Sequence, residues 1–161
     1  MSAQPAQFTT FTIERHLNHP SALVFAAWSS AEAKSKWFAG GEAVATEQRE
    51  LDFRVGGREL LRCTWKSGVI SHFDSRYFDI VENQRIVYAY DMYVDEKKLS
   101  VSLSTVEFIS SGNECLIKYT EQCAFLDGYP DNGSREHGSR ELIEQLAKSL
   151  DGSLNTLANC H

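Results

Sequence analysis

The chain has 161 residues, of which 42% are hydrophobic and 24% charged, and a formal net charge of −6. Those figures describe one ordinary globular domain, and they exclude a disordered, collagen-like or coiled-coil chain. An acidic surface with scattered Lys and Arg disfavours nucleic acid as a partner, and apolar runs of only a few residues leave no membrane-spanning helix.

Met1 to Thr12 lacks the basic-then-apolar pattern of a secretory leader, so a cytoplasmic location is expected. In that compartment cysteines stay reduced. Cys63, Cys115 and Cys123 then read as small buried hydrophobes, and Cys160 as an exposed thiol at the tail.

Along the chain, Phe8 to Leu17 alternates with period two and predicts a strand, broken by Asn18-His19-Pro20. Pro20 starts a short helix whose apolar residues include Leu23, Val24, Ala27 and Trp28. Ser29-Ser30 caps a second short helix over 31–38, ended by Gly40-Gly41. The text then turns to consecutive β segments at 44–56, 58–66, 69–81, 85–94, 99–110 and 114–124. Their connectors (Gly56-Gly57, Ser67-Gly68, Ser110 to Asn113) are too short for parallel crossovers, so the strands are antiparallel neighbours. A loop over 125–134 leads to the clearest helix. Ser134 is its expected N-cap, and Leu142, Ile143, Leu146, Ala147 and Leu150 line one face from Arg135 to Asp151. Gly152 is the expected end, with a weaker continuation through Leu157.

The predicted fold class is α+β: a curved seven-stranded antiparallel sheet around one long C-terminal helix, with two short helices after the first strand. One domain is expected over residues 8–157, with tails at 1–7 and 158–161. A sheet that curves round a single helix leaves space between them at one end.

Four stretches carry a family resemblance. His19 to Trp28 resembles a proline-started first helix, and Lys36-Trp37-Phe38 an aromatic pair closing the second. Leu51 to Arg58 is similar to a double-glycine hairpin, and Tyr77 to Tyr88 to a strand–turn–strand. Together they resemble the helix-grip superfamily of START-like (SRPBCC, polyketide-cyclase-like) proteins, in the branch named for the activator of heat-shock-protein ATPase homologue. The likeness runs over about residues 8–151. It departs where the family proline is missing near Val81-Glu82. It departs again where Ser139 follows Gly138 in place of tryptophan, a change that enlarges or rewets a cavity. The resemblance implies a hydrophobic-ligand fold of diverse uses, with no single reaction attached.

Nine Phe, six Tyr and three Trp supply aromatics for such a cavity. The expected lining comes from Trp37 on the second helix and, by strand parity, from Phe53 with Val55, Trp65, Phe73 with Tyr77, Tyr90 and Tyr119. Gly138 and Leu142 are expected from the last helix. An ordinary sheet–helix core accounts for any one of these aromatics taken singly. His72, Asp74 and Arg76 share one parity. Parity against Phe73 and Tyr77 favours a solvated outward face; an inward acid–base cluster is the other phase. His137 reads as a surface histidine or as a group beside the cavity mouth. No zinc-type spacing, P-loop, dinucleotide fingerprint or nucleophile elbow occurs, so no metal, cofactor or catalytic residue is assigned.

The leading functional expectation is binding of a small hydrophobic or amphipathic ligand between sheet and helix. Two alternatives stand beside it: a cyclase- or dehydratase-like enzyme on a polyketide-type substrate, and a chaperone-associated module binding protein through the outer sheet face. A homodimer is compatible with either.

Overall fold

The computed structural model describes residues 3–39 and 41–159, with side chains up to residue 152. Strand β1 (Gln7–Leu17) is followed by helices α1 (Ser21–Ala26) and α2 (Ala31–Ser35) and a single 3-10 turn, Gly41–Ala43. Six strands come next: β2 (Val44–Leu51), β3 (Arg58–Trp65), β4 (Ile70–Val81), β5 (Arg85–Val94), β6 (Lys97–Ser111) and β7 (Glu114–Phe125). Helix α3 (Ser134–Asn159) closes the described chain. All seven strands form one antiparallel sheet in the order β1-β7-β6-β5-β4-β3-β2.

The sheet bends where residues are inserted into its ladders. Register shifts fall at Val44/Thr46, Tyr77/Asp79 and Met92/Tyr93. Each inserted residue adds local twist, which is how a ribbon wraps a rod. Helix α3 lies in the concavity with Ile143, Leu146, Ala147 and Leu150 buried against the sheet. At its 26 residues it is about 39 Å long at ~1.5 Å per residue. Arg15 of β1 grips Glu144 at 2.7 Å, and buried His19 meets Asp151 at 2.8 Å, so α3 is tied down along its length. Among the described residues no helix is long and apolar enough to cross a membrane.

Helix α3 differs from the sequence expectation at both ends. Its first turn is capped by Asp131, whose carboxylate accepts from the amides of Gly133 (3.2 Å) and Arg135 (2.9 Å). Ser134 is already helical. Helical backbone runs through Gly152 to Asn159, because one glycine costs only about 1 kcal/mol against alanine and does not stop a helix. The expected exposed thiol of Cys160 lies outside the described residues, as does Gly40.

Strand β2 also ends earlier than predicted, at Leu51 rather than 56. Asp52 to Gly57 folds into a tight turn in which the Gly57 amide donates to the Arg54 carbonyl at 2.8 Å. A Cβ on Gly57 would sit 2.0 Å from the Asp52 carbonyl oxygen, so only glycine fits this close approach. Strand parity therefore does not extend to Phe53 and Val55. On β4 the outward phase holds: Phe73, Ser75 and Tyr77 are buried, Arg76 is exposed, and Asp74 takes a bidentate pair of bonds from Arg58 at 2.9 and 3.0 Å.

Candidate functional site: a cavity with one polar end

Between the sheet and the N-terminal half of α3 lies a cavity of about 410 Å³, within the range of small-molecule sites. Its apolar wall is built by inward residues of β3, β4 and β5, among them Leu61, Phe73 and Met92. Phe38, just past α2, covers it from the side, and Gly138, Ser139 and Leu142 form the helix wall. The aromatics pack against one another: Phe38 meets Phe73 edge-on at 5.1 Å and Phe73 meets Tyr90 at a tilt, 4.6 Å between ring centroids. Such geometry holds the wall rigid without filling the space.

Six of the ten expected lining residues stand around this cavity: Trp65, Phe73, Tyr90, Tyr119, Gly138 and Leu142. The other four lie elsewhere, each for a physical reason. Trp37 is 3% exposed and packed at a tilt against Trp28, 4.6 Å between ring centroids; its indole donates to the Ala27 carbonyl, so it is structural glue between α1 and α2. Phe53 packs on Phe25 and Tyr77 at 5.7 and 5.1 Å, behind the cavity wall. Val55 sits exposed in the Gly57 turn. Tyr77 points at the carboxylate of Glu59, to which its hydroxyl donates at 3.0 Å.

One end of the cavity is polar. Glu121 on β7 is fully buried and receives hydrogen bonds from Tyr90 (2.8 Å), Ser104 (3.3 Å), Cys123 (2.8 Å) and Tyr119. Arg135, one residue into α3, completes the set: its Nη1 lies 3.3 Å from Glu121 and donates to Tyr90 (2.9 Å) and Ser102 (3.0 Å). Its Nη2 donates to Ser100 at 2.7 Å. The guanidinium also rests over the rings of Phe125 and Tyr90, at 5.4 and 5.5 Å.

Burial lowers the affinity of Arg135 for its proton, but Tyr90 and Glu121 beside it reverse this, and the net shift is upward. Burial and the Glu121 charge push the Tyr90 phenol well above its ordinary value. Burial and the neighbouring Tyr88 and Glu121 do the same for Tyr119. Burial, then Glu121, raises the Cys123 thiol to about 12. Around the Glu121 carboxyl group the cluster thus gathers a protonated guanidinium and hydroxyl and thiol groups that keep their protons.

Sequence reasoning missed Glu121, Arg135 and the three serines. On β6 it is Ser100, Ser102 and Ser104 that face inward, each no more than 2% exposed, while Val101 and Leu103 are 40% exposed on the outside. A hydrophobic-in reading of the strand gives the opposite phase. The available signal was the serine alternation itself, on a strand in the middle of a sheet, where three small polar residues on one face need a buried partner.

A second buried ion pair lies behind the wall. Lys34 of α2 is bonded to Glu59 of β3, at 1% and 0% side-chain exposure. The ammonium also lies 4.6 Å from the Phe38 ring centroid and 5.4 Å from that of Trp28. Burial pulls the Lys34 pKa down, with Glu59 opposing that shift. His137 is exposed and 3.0 Å from Glu141, and among the described residues no group of three or more His, Cys, Asp or Glu is placed to hold a metal ion.

Comparison with known proteins places this geometry in a family. The model of the family described as "Activator of Hsp90 ATPase homolog 1-like protein" matches residues 18–155. A solved structure of an uncharacterized protein from Rhizobium leguminosarum is 42% identical, with a TM-score of 0.87 over 91% of this chain and 97% of that one. One from Rhizobium loti is 37% identical, with a TM-score of 0.84 over 91% and 99%. An Aeromonas hydrophila protein, 16% identical with a TM-score of 0.67 over 90% and 94%, shares the fold. None of the curated proteins matches. With a curved antiparallel sheet gripping one long helix and a family match over most of its length, the chain belongs to the activator of Hsp90 ATPase homolog 1-like family.

Proposed function

We propose that this protein binds a small amphipathic molecule in the cavity beneath α3. The observation that carries the reading is a largely apolar cavity of about 410 Å³ with Tyr90, Tyr119 and Arg135 converging at one end. A guest burying ~400 Å² of apolar surface gains about 10 kcal/mol at ~25 cal/mol per Å². Association costs of ~4 kcal/mol or more then leave a Kd of tens of micromolar or weaker. No covalent chemistry is needed for that.

The test is a titration with N-phenyl-1-naphthylamine, an uncharged apolar fluorophore that brightens when buried. Wild type is expected to saturate at one probe per chain. Ser139→Trp places an indole where Ser139 now faces the cavity, and is expected to abolish the signal while keeping the circular dichroism of the fold. Equal fluorescence from both proteins refutes the proposal.

A second reading, acid–base catalysis on a polyketide-type substrate, is favoured by the convergence of Tyr90, Tyr119 and Arg135 at the same end. Binding stands ahead of it because these groups are largely occupied by one another and by Glu121. A pH-dependent turnover of such a substrate would reverse that order.

A further inference from the structure

The polar end of the cavity says what kind of head group it accepts. Among the described residues Arg135 and Asp131 are the charged side chains in the lining, with Glu121 directly behind. The cation is matched by Glu121 at 3.3 Å, and Asp131 is committed to the first amides of α3. Counting one positive and two negative groups, and the partial positive charge of a helix N-terminus, the end offers no net positive charge to a guest.

An anionic head group entering here would lose its hydration and find both nearby carboxylates already in place, a situation that heavily disfavours a buried charge. A neutral head group meets no such penalty. It also finds partners, because the guanidinium of Arg135 and the hydroxyls of Tyr90 and Ser139 line the cavity. A guanidinium donates only, so it calls for an acceptor such as a hydroxyl or carbonyl oxygen.

Resting on the cavity as the binding site, we infer that the guest is an uncharged amphipath: an apolar body ending in one hydroxyl or carbonyl group, with carboxylates and phosphates excluded by the Glu121–Arg135 pair. The pair is then a selectivity device. It presents the hydrogen-bonding capacity of an arginine without its attraction for anions.

The experiment is isothermal titration of the full chain at pH 7 with two probes of one shape, neutral 2-naphthol and anionic 2-naphthoate. Wild type is expected to bind 2-naphthol at least tenfold more tightly. Glu121→Gln keeps the shape but removes the balancing anion, and is expected to strengthen 2-naphthoate binding at least tenfold. Because that variant alters a buried cluster, the wild-type ratio is the primary readout. If 2-naphthoate binds wild type as well as or better than 2-naphthol, the inference is overturned and the cavity reading survives. Failure of both probes to bind overturns the cavity reading and this inference with it.

Discussion

Lys34 and Glu59 offer the sharpest test of how the wall of the cavity is held. Helix α2 has only five residues and cannot be stable by itself, so its position depends on what Lys34 reaches. Replacing Lys34 by Met leaves Glu59, 0% exposed, as an unpaired charge whose Oε2 already has no partner. Breaking one side of a buried ion pair costs ~3–5 kcal/mol. That is a large share of the ~5–15 kcal/mol that holds a domain folded, and for a chain of this length it lowers Tm by roughly 6–20 °C. Glu59→Gln strands the ammonium and should cost a similar amount. The double variant removes both charges and keeps an acceptor for Tyr77, so it should lie within ~2 kcal/mol of wild type, part of that being the lost contact of Lys34 with Phe38 and Trp28. Urea unfolding followed by tryptophan fluorescence measures all four proteins, since Trp28 and Trp37 lie in the same cluster. Additive single costs, or singles below ~1 kcal/mol, would refute the reasoning.

Two further outcomes are expected. Burial raises the thiols of Cys63, Cys115 and Cys123 above the ordinary 9.0, and the phenols of Tyr77, Tyr88, Tyr90 and Tyr119 above 10.0. As pH rises the unfolded chain ionises first, so the stability these groups lend is complete below about pH 9 and is lost above it, the lowered Lys34 acting in the opposite sense. The urea midpoint should fall between pH 8 and pH 10.5, and the 295 nm absorbance of these four tyrosinates should appear only with unfolding. Gly57→Ala drives a methyl group into the Asp52 carbonyl; the cost should be ~1–3 kcal/mol or more, read as a drop in Tm of at least ~2 °C in calorimetry.

The strand and helix order was legible because period-two and period-3.6 patterns are strong where one face is dry. β1, β3, β4, β5 and β7 fall within a residue or so of their expected spans. β6 begins two residues early because Asp95 and Glu96 both take positive φ, making a two-residue turn that no glycine announces. The cavity's apolar wall was likewise visible, since Phe73, Tyr90 and Trp65 alternate cleanly. Its polar end was not. Periodicity sorts residues by hydrophobicity, and it cannot show that the Ser100-Ser102-Ser104 face, Glu121 and Arg135 satisfy one another across 35 residues of chain. Lys34 and Glu59 were hidden for the same reason: each looks like a surface charge until its partner is placed. Phe53 and Val55 were misplaced because parity was carried through a turn that ends the strand.

The cavity proposal requires a guest seated beneath α3. Labelling the Leu, Val and Met methyl groups, those of Leu61, Met92 and Leu142 among them, and titrating with 2-naphthol in NMR measures this directly. Saturable shifts are predicted at these three, which line the cavity, and none at Val101 or Leu103 on the outer face. Shifts confined to the outer face, or no shifts at all, would contradict it.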